Sequence, residues 1–227
     1  MNLQQHSERN WRQLAERWLE AHRNDVQPPS LSLLCLAGVL GMQIEPQARA
    51  DEVFKKAPPE RLPFLRSAIF GDPARWRPNV SPIDDALNKT NQRDPEFESN
   101  GFPDPCPEPR SAVTEHWIAR GVCACRANEQ SAAARWLRRL ITNRATGHMG
   151  TQAIARFLYC SQAADGSFGM NESVYYKLAG ELGSSAPEYI LILKAELTFQ
   201  TAWALDCFEH DHAGATDNAV AAPGGRL

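Results

Sequence analysis

The sequence shows no excess of charge of one sign and no apolar run long enough to cross a bilayer. Its 24 Lys and Arg residues against 27 Asp and Glu residues give a net charge of -3, whereas a dedicated nucleic-acid binder is expected to be basic. The longest apolar run, 31–42, is interrupted by Ser32 and two glycines, and a membrane span needs about 20 residues. No basic segment followed by an apolar core marks a secretory signal. We therefore expect a cytoplasmic protein with no nucleic-acid partner and no membrane span.

Several chemical signatures are also missing. The sequence contains no phosphate-cradling glycine loop, no nucleophile elbow and no His-Glu-x-x-His motif. No complete catalytic set can be assigned, so the sequence leaves open whether the protein is an enzyme. Because cytoplasmic thiols are kept reduced, we expect the six cysteines to be free rather than paired in disulfides.

What the sequence does contain is helical periodicity. Residues 7–24 carry apolar side chains on one face, and 31–40 is apolar all round, which predicts a buried helix capped by Ser30. The longest predicted helix runs from Pro187 to about Glu209, and no segment shows convincing strand alternation. The pattern predicts an all-α fold of about nine or ten helices built as helical hairpins. An α/α barrel-like arrangement or a partial α/α toroid is its most specific form.

The composition predicts four regions along the chain. An N-terminal helical region, 1–92, is followed by a Pro-rich acidic loop, 93–110, with five prolines and five acidic residues. Loops of that length in a compact domain are usually functional or mobile, and this loop is the best candidate for a domain boundary. A C-terminal helical region, 111–209, is followed by a tail, 210–227, whose Ala, Gly and Asp content predicts disorder.

One stretch, FLYCSQAADGSFG at 157–169, carries a recognisable spacing of residues. An aromatic–Leu pair is followed by Gln, Gly and a final aromatic residue, at Phe157, Leu158, Gln162, Gly166 and Phe168. This pattern resembles the repeat of terpenoid cyclases and of protein prenyltransferase β subunits, where the last residue is usually Trp. The resemblance implies that Gln162 ties the end of an outer helix to the start of the next inner helix, with Phe168 stacked over it. A plain helix–turn–helix corner, with a positive φ at Gly166, fits the same residues.

Two neighbouring acids are the first candidate for catalytic chemistry. Asp84 and Asp85 follow Ser81-Pro82, which is a good helix start. The pair is superficially similar to the Asp-rich motif with which class I terpene synthases bind magnesium and diphosphate, and carboxylate oxygens suit that metal. The alternative is that both acids serve the positive end of the helix dipole.

A second candidate, for zinc, lies near the end of the chain. Asp206, Cys207, His210 and His212 are all residue types that bind zinc. The zinc ligands of prenyltransferase β subunits include an Asp and a Cys close together and a distant His, so the resemblance implies a possible site here. The alternative is a helix end at which histidine interacts with the dipole.

Arginine and aromatic residues supply the candidates for ligand binding. Arg120, Arg126, Arg135, Arg138, Arg139 and Arg144 form a basic face that can bind phosphate or diphosphate, or can pair with the acidic loop 93–110. Aromatic residues can line an apolar cavity and stabilise cations, although plain core packing is the commoner role. The predicted ligand-binding residues are Trp117, Trp136, Tyr175, Trp203, Arg135 and Arg139.

These features support two hypotheses. The first is a helical protein, similar in architecture to terpenoid cyclases, that binds or transforms a small apolar isoprenoid-like ligand in an interhelical cavity, with zinc or magnesium as possible cofactors. The second is a non-catalytic helical interaction or scaffold protein whose partner is another protein or a second copy of the chain.

Overall fold

The computed structural model describes residues 10–25, 30–44, 50–71, 110–169, 177 and 179–220, with side chains omitted at 50–52, 110–113 and 212–220. Over these ranges the chain forms eight α-helices and no strand, so the predicted all-α fold is confirmed. The helices are α1 (Trp11–His22), α2 (Leu31–Leu40), α3 (Ala50–Lys56), α4 (Leu62–Phe70), α5 (Arg110–Arg126), α6 (Gln130–Thr142), α7 (Met149–Cys160) and α8 (Ala186–Val220). Short 3₁₀ turns at Pro59–Arg61 and Gly183–Ser185 precede α4 and α8.

The first two helices follow the sequence pattern closely. Helix α1 buries one face, through Trp11, Ala15, Trp18 and Leu19, and leaves its charged face towards solvent. Helix α2 is buried on almost every side, as expected for a helix that is apolar all round. Its predicted cap is present, because the Ser30 hydroxyl accepts a hydrogen bond of 3.3 Å from the Leu33 amide.

Helices α2 and α4 approach each other unusually closely at Gly38. A Cβ atom at this position would lie 2.0 Å from the main-chain oxygen of Phe64, so only glycine fits. The Ser67 hydroxyl donates to the Gly38 carbonyl over 3.2 Å, and the Ile44 amide donates to the Ala68 carbonyl over 2.8 Å. These contacts hold the two backbones together and set the position of Phe64 in the core.

Helix α8 is the longest element and packs against α1, α2, α6 and α7. The sequence places its end at about Glu209 and a disordered tail from 210, but the helix continues to Val220, so that boundary is wrong. The added stretch contains several alanines, which favour helix, and the Thr146 hydroxyl donates to the Asp211 carboxylate. Residues 221–227 lie outside the described part of the chain.

A single buried cluster joins the helices on both sides of the predicted acidic loop. It contains side chains from α1, α2 and α4, which precede the loop, and from α5, α6, α7 and α8, which follow it. Helices α5, α6 and α7 are linked by short turns and pack on one another as helical hairpins. Residues 93–109 of the predicted loop lie outside the described part of the chain, and Arg110 begins α5. The division into regions and the α/α toroid both stay predictions. None of the described helices is long and apolar enough to cross a membrane.

Candidate ligand-binding site

The repeat-like stretch 157–169 forms a rigid corner between α7 and α1. The Gln162 side-chain amide donates to the main-chain oxygens of Trp11, over 2.8 Å, and Gly166, over 2.9 Å. Phe168 is fully buried and pairs with Gln162 in an isolated β-bridge. The centre of its ring lies 6.4 Å from the centre of the Trp11 ring. Leu158 is also fully buried, whereas Phe157 packs on the core from its edge. Gln162 therefore ties the end of α7 to the start of α1, far away in the sequence.

Asp165 and Gly166 allow the corner to turn. Gly166 has a φ of +95°, and a Cβ atom here would lie 2.1 Å from the Leu14 carbonyl oxygen. Asp165 accepts hydrogen bonds from the Ser167 amide, over 2.9 Å, and the Ser167 hydroxyl, over 2.7 Å. Burial raises the pKa of Asp165, but the bonds from Ser167 and the charge of Lys194 outweigh it and lower that pKa below its usual value. All these groups have structural partners, which assigns the corner a structural role.

A carboxylate on α8 is the centre of the best-connected polar network. The guanidinium of Arg61 donates to both oxygens of Glu196, over 2.9 and 2.6 Å. Ser32 and Gln200 donate to the same carboxylate over 2.6 and 2.7 Å. Burial raises the pKa of Glu196, but these hydrogen bonds dominate and lower it. The Glu196 charge is therefore fully compensated inside the protein.

Next to this network, two aromatic rings on α8 stack with a guanidinium on each. Phe199 and Trp203 lie 5.8 Å apart at 20°, and Phe64 meets both rings edge-on. The Arg61 guanidinium lies 5.3 Å from the centre of the Phe199 ring, and that of Arg138 lies 4.2 Å from the centre of the Trp203 ring. The stack fixes both arginines through cation–π contacts.

Arg138 differs from Arg61 in its partners. It donates to the main-chain oxygen of Gln200 over 3.0 Å, and no carboxylate among the described residues forms an ion pair with it. Burial, the largest cause, lowers the pKa of Arg138 to about 10, and the charges of Arg135 and Arg139 act in the same direction. Arg138 is still cationic at neutral pH.

Arg138 faces a cleft of about 720 Å³ between α6, the turn before it, and α8. Gly169, at the end of the corner, also borders the cleft. The Ser131 hydroxyl donates to the Gln200 side-chain oxygen over 2.7 Å across it, and the Gln130 side-chain oxygen has no hydrogen-bond partner in the described part of the chain. The cleft is lined by charged, polar and apolar side chains, among them Glu129, Gln130, Ser131, Arg135, Arg138 and Leu197.

The predicted ligand-binding residues are only partly brought together. Arg135 lines the cleft and Trp203 supports Arg138 beneath it. Trp136 is buried in the core, with Arg139 stacked 4.7 Å from its ring centre, and Trp117 packs on the edge of the core. Tyr175 lies outside the described residues. The sequence included Arg138 in the basic face but not among the preferred ligand residues, although its spacing of three from Arg135 indicates the same side of α6.

The candidate metal residues do not assemble a metal site in the described structure. Asp206 is buried and pairs with the Arg12 guanidinium, and the His210 ring nitrogen lies 3.9 Å from its second oxygen. Cys207 is buried against the core, the His212 side chain is not described, and Asp84 and Asp85 lie outside the described ranges. Over the residues that are described, no three His, Cys, Asp or Glu side chains are placed to hold a metal. Arg12 supplies positive charge where the zinc hypothesis placed a metal.

The described cysteines are all free thiols, as the sequence predicts for them: Cys35, Cys123, Cys125, Cys160 and Cys207. Burial raises the pKa of Cys35 to about 12 and that of Cys125 to about 11. Both thiols are therefore protonated and poorly nucleophilic at neutral pH, which argues against a catalytic role for either.

No protein-family model, curated protein or solved structure was found to match this chain. The chemistry of the cleft is therefore inferred from its own residues, and the similarity of 157–169 to terpenoid cyclases stays a prediction from that stretch.

Proposed function

We propose that this protein binds a small isoprenoid-like molecule in the cleft between α6 and α8. The observation that carries the proposal is the cleft itself, whose volume of about 720 Å³ falls within the roughly 300–1,000 Å³ typical of small-molecule sites. Three rigid elements border it, since α6 and α8 are packed in the core and the corner at 162–169 is held by Gln162. A preformed cleft loses little entropy when a ligand binds.

The two kinds of surface in the cleft suit an amphipathic ligand. Leu197 and Ala132 offer apolar contacts, while Arg135, Arg138 and Gln200 offer polar groups that can fix orientation. None of the described aromatic residues lines the cleft. Phe199 and Trp203 are stacked on each other beneath it. The proposal is therefore for binding, and the aromatic stack supports the site instead of contacting a reacting carbocation.

A cleft-filling variant tests the proposal. Leu197→Trp should weaken binding of a neutral prenyl alcohol about tenfold or more, because the added ring occupies the apolar part of the cleft. Leu193→Trp is the matched control, since Leu193 is the same residue type on the same helix, is partly buried and is outside the cleft lining. Binding is measured by native mass spectrometry and by quenching of tryptophan fluorescence. Failure of the unchanged protein to bind any prenyl alcohol would contradict the proposal.

The alternative, a helical protein that associates with a second copy of itself, is favoured by one surface feature. Phe54 on α3 and Phe70 on α4 stack face to face at 5.7 Å, and Phe70 is 60% exposed. Phe54 is partly buried, so Phe70 is the exposed ring of the pair, and exposed aromatic side chains are common at interfaces between proteins. If this function is correct, Phe70→Asp should shift the protein towards a monomer in analytical ultracentrifugation. A protein that is monomeric at all concentrations excludes this alternative.

A further inference from the structure

The chain treats two guanidinium groups on the same aromatic stack in different ways. Arg61, over Phe199, is neutralised by both oxygens of Glu196. Arg138, over Trp203, has the Gln200 carbonyl as its hydrogen-bond acceptor and no ion-pair partner in the described part of the chain. The fold therefore pairs one partly buried arginine, Arg61, with a carboxylate. It leaves the other, Arg138, without an ion pair among the described residues, at the border of a cleft.

A partly buried guanidinium without an ion pair is costly unless other groups complete its environment. A guanidinium has five N–H donors, and a partly buried charge is stabilised when it is paired and hydrogen-bonded. One face of Arg138 is covered by the Trp203 ring, and the neighbouring Arg135 and Arg139 add charge of the same sign, which the more distant charge of Glu196 opposes without forming an ion pair. Arg138 lines the cleft, where an anion can approach its guanidinium.

The N-terminus of α6 lines the same cleft and adds a second anion-favouring feature. Glu129 stands at the N-cap position, but its side chain makes no capping hydrogen bond to the first turn. The first turn, 130–132, borders the cleft, so main-chain N–H groups and the positive end of the helix dipole lie beside it.

We infer that the cleft recognises its ligand through a phosphate-type oxyanion bound by Arg138, with Arg135 and the first turn of α6 as further contacts. The inference rests on the proposed function, because it names the group through which the same site holds its ligand. The guanidinium fork matches the geometry of phosphate oxygens, and hydrogen bonds between charged groups are stronger than neutral ones. A phosphate or diphosphate group, free or attached to an apolar chain, satisfies this chemistry.

Calorimetric titration with inorganic phosphate and inorganic diphosphate tests the inference in the full chain. Arg138→Met keeps most of the side-chain length without the charge, and should weaken diphosphate binding about tenfold or more. Arg135→Met is a second variant at an exposed position, where folding is not at risk, and should weaken binding in the same direction. Arg156→Met, on the exposed face of α7 and outside the cleft lining, should leave it unchanged.

Thermal stability separates a binding role from a packing role for Arg138. If Arg138 serves a ligand, Arg138→Met should change the melting temperature little, because removal of a desolvated charge offsets the lost contacts with Trp203 and Gln200. A fall in melting temperature together with unchanged diphosphate affinity would assign Arg138 to packing and overturn the inference. The inference would also be overturned if none of the variants changed the diphosphate affinity. Absence of saturable binding in about 0.15 M chloride, a concentration that screens weak surface attraction, would overturn it as well.

A neutral prenyl alcohol distinguishes failure of this inference from failure of the proposed function. Binding of the alcohol that Leu197→Trp abolishes, without any binding of diphosphate, would overturn the inference and support the proposed function. Binding of diphosphate that depends on Arg138, without binding of the alcohol, would support the inference and remove the isoprenoid part of the proposed function.

Discussion

The Arg138 guanidinium lies 4.2 Å from the centre of the Trp203 ring, and its hydrogen bond goes to a main-chain carbonyl instead of a carboxylate. This arrangement fixes the guanidinium in position while its positive charge stays available at the border of the cleft. The nearest acidic network, at Glu196, is already occupied by Arg61, Ser32 and Gln200. The contrast is what makes the cleft a candidate for anion binding.

Glu129 should oppose an anion in this cleft. It is exposed at the N-cap of α6 and is an acidic residue on the cleft lining. Glu129→Gln should strengthen diphosphate binding by about two- to fivefold at low salt, because it removes a repulsive charge close to the anion. Glu188→Gln, which removes an exposed acid outside the cleft lining, is the control in the same titration. Weaker binding after Glu129→Gln would show that the anion does not sit at this end of α6.

Gly166 is predicted to tolerate no side chain. Its φ of +95° disfavours other residues, and a Cβ atom would lie 2.1 Å from the Leu14 carbonyl oxygen. Gly166→Ala should lower the free energy of unfolding by about 2–4 kcal/mol. Urea denaturation followed by circular dichroism measures the change.

Gly147→Ala is the matched control for that experiment. No atom lies within 4 Å of a Cβ placed at Gly147, and its φ is not positive. This variant should change stability by less than about 1 kcal/mol. Equal losses for the two variants would mean that the contact between the corner and α1 does not constrain the fold.

Gln162 should stabilise the fold through its two hydrogen bonds. Gln162→Ala leaves the Trp11 and Gly166 carbonyl groups without this donor and should cost about 1–3 kcal/mol. Gln152→Ala, on the exposed face of α7, removes a side chain of the same kind and should have little effect. Urea denaturation of the two variants gives the comparison. A neutral Gln162→Ala substitution would show that the bond to Trp11 adds nothing to stability.

Acid should destabilise the protein partly through Glu196. Its hydrogen bonds lower the pKa below the usual value of 4.5, so the folded state binds a proton less readily than the unfolded state. The contribution of Glu196 to stability is therefore complete above pH 4.5 and is lost as the pH falls through the lower folded-state pKa. Glu196→Gln should flatten that part of the pH–stability curve.

Glu20→Gln is the control for the pH experiment, because Glu20 is exposed on α1. Thermal melts between about pH 2 and pH 7 record both variants beside the unchanged protein. A curve for Glu196→Gln that keeps the full acid dependence would assign the loss of stability to other carboxylates.

Much of the helical structure was predictable because its signals are local. Ser30 and Gly41 begin and end α2 as their capping preferences predict, and the apolar spacing of α1 matches its buried face. The end of α8 was missed because a polar, Ala-containing segment resembles a tail in composition. The structure continues the helix through this segment, and the Thr146 hydroxyl contacts it at Asp211.

The site was less predictable because it depends on residues far apart in the chain. Arginine spacing on α6 indicates a basic face, but Arg138 meets Gln200 across 62 positions of the sequence. The stack that supports Arg138 joins Phe64 with Phe199 and Trp203, and no local pattern relates these rings. The pairing of Arg61 with Glu196, an ion pair that Arg138 does not have among the described residues, is likewise a product of packing.

Local sequence signals are enough to predict a helical chain with a tight corner at Asp165-Gly166, because capping, periodicity and positive φ depend on neighbouring residues. The attachment of that corner to α1, and the ion pair that forms at Arg61 and not at Arg138, arise only when the helices pack. Gln162 bonds to Trp11 across 151 positions, and Arg12, from the same distant helix, pairs with Asp206. Such contacts form only when the helices pack, since burial brings together polar groups that must then find partners.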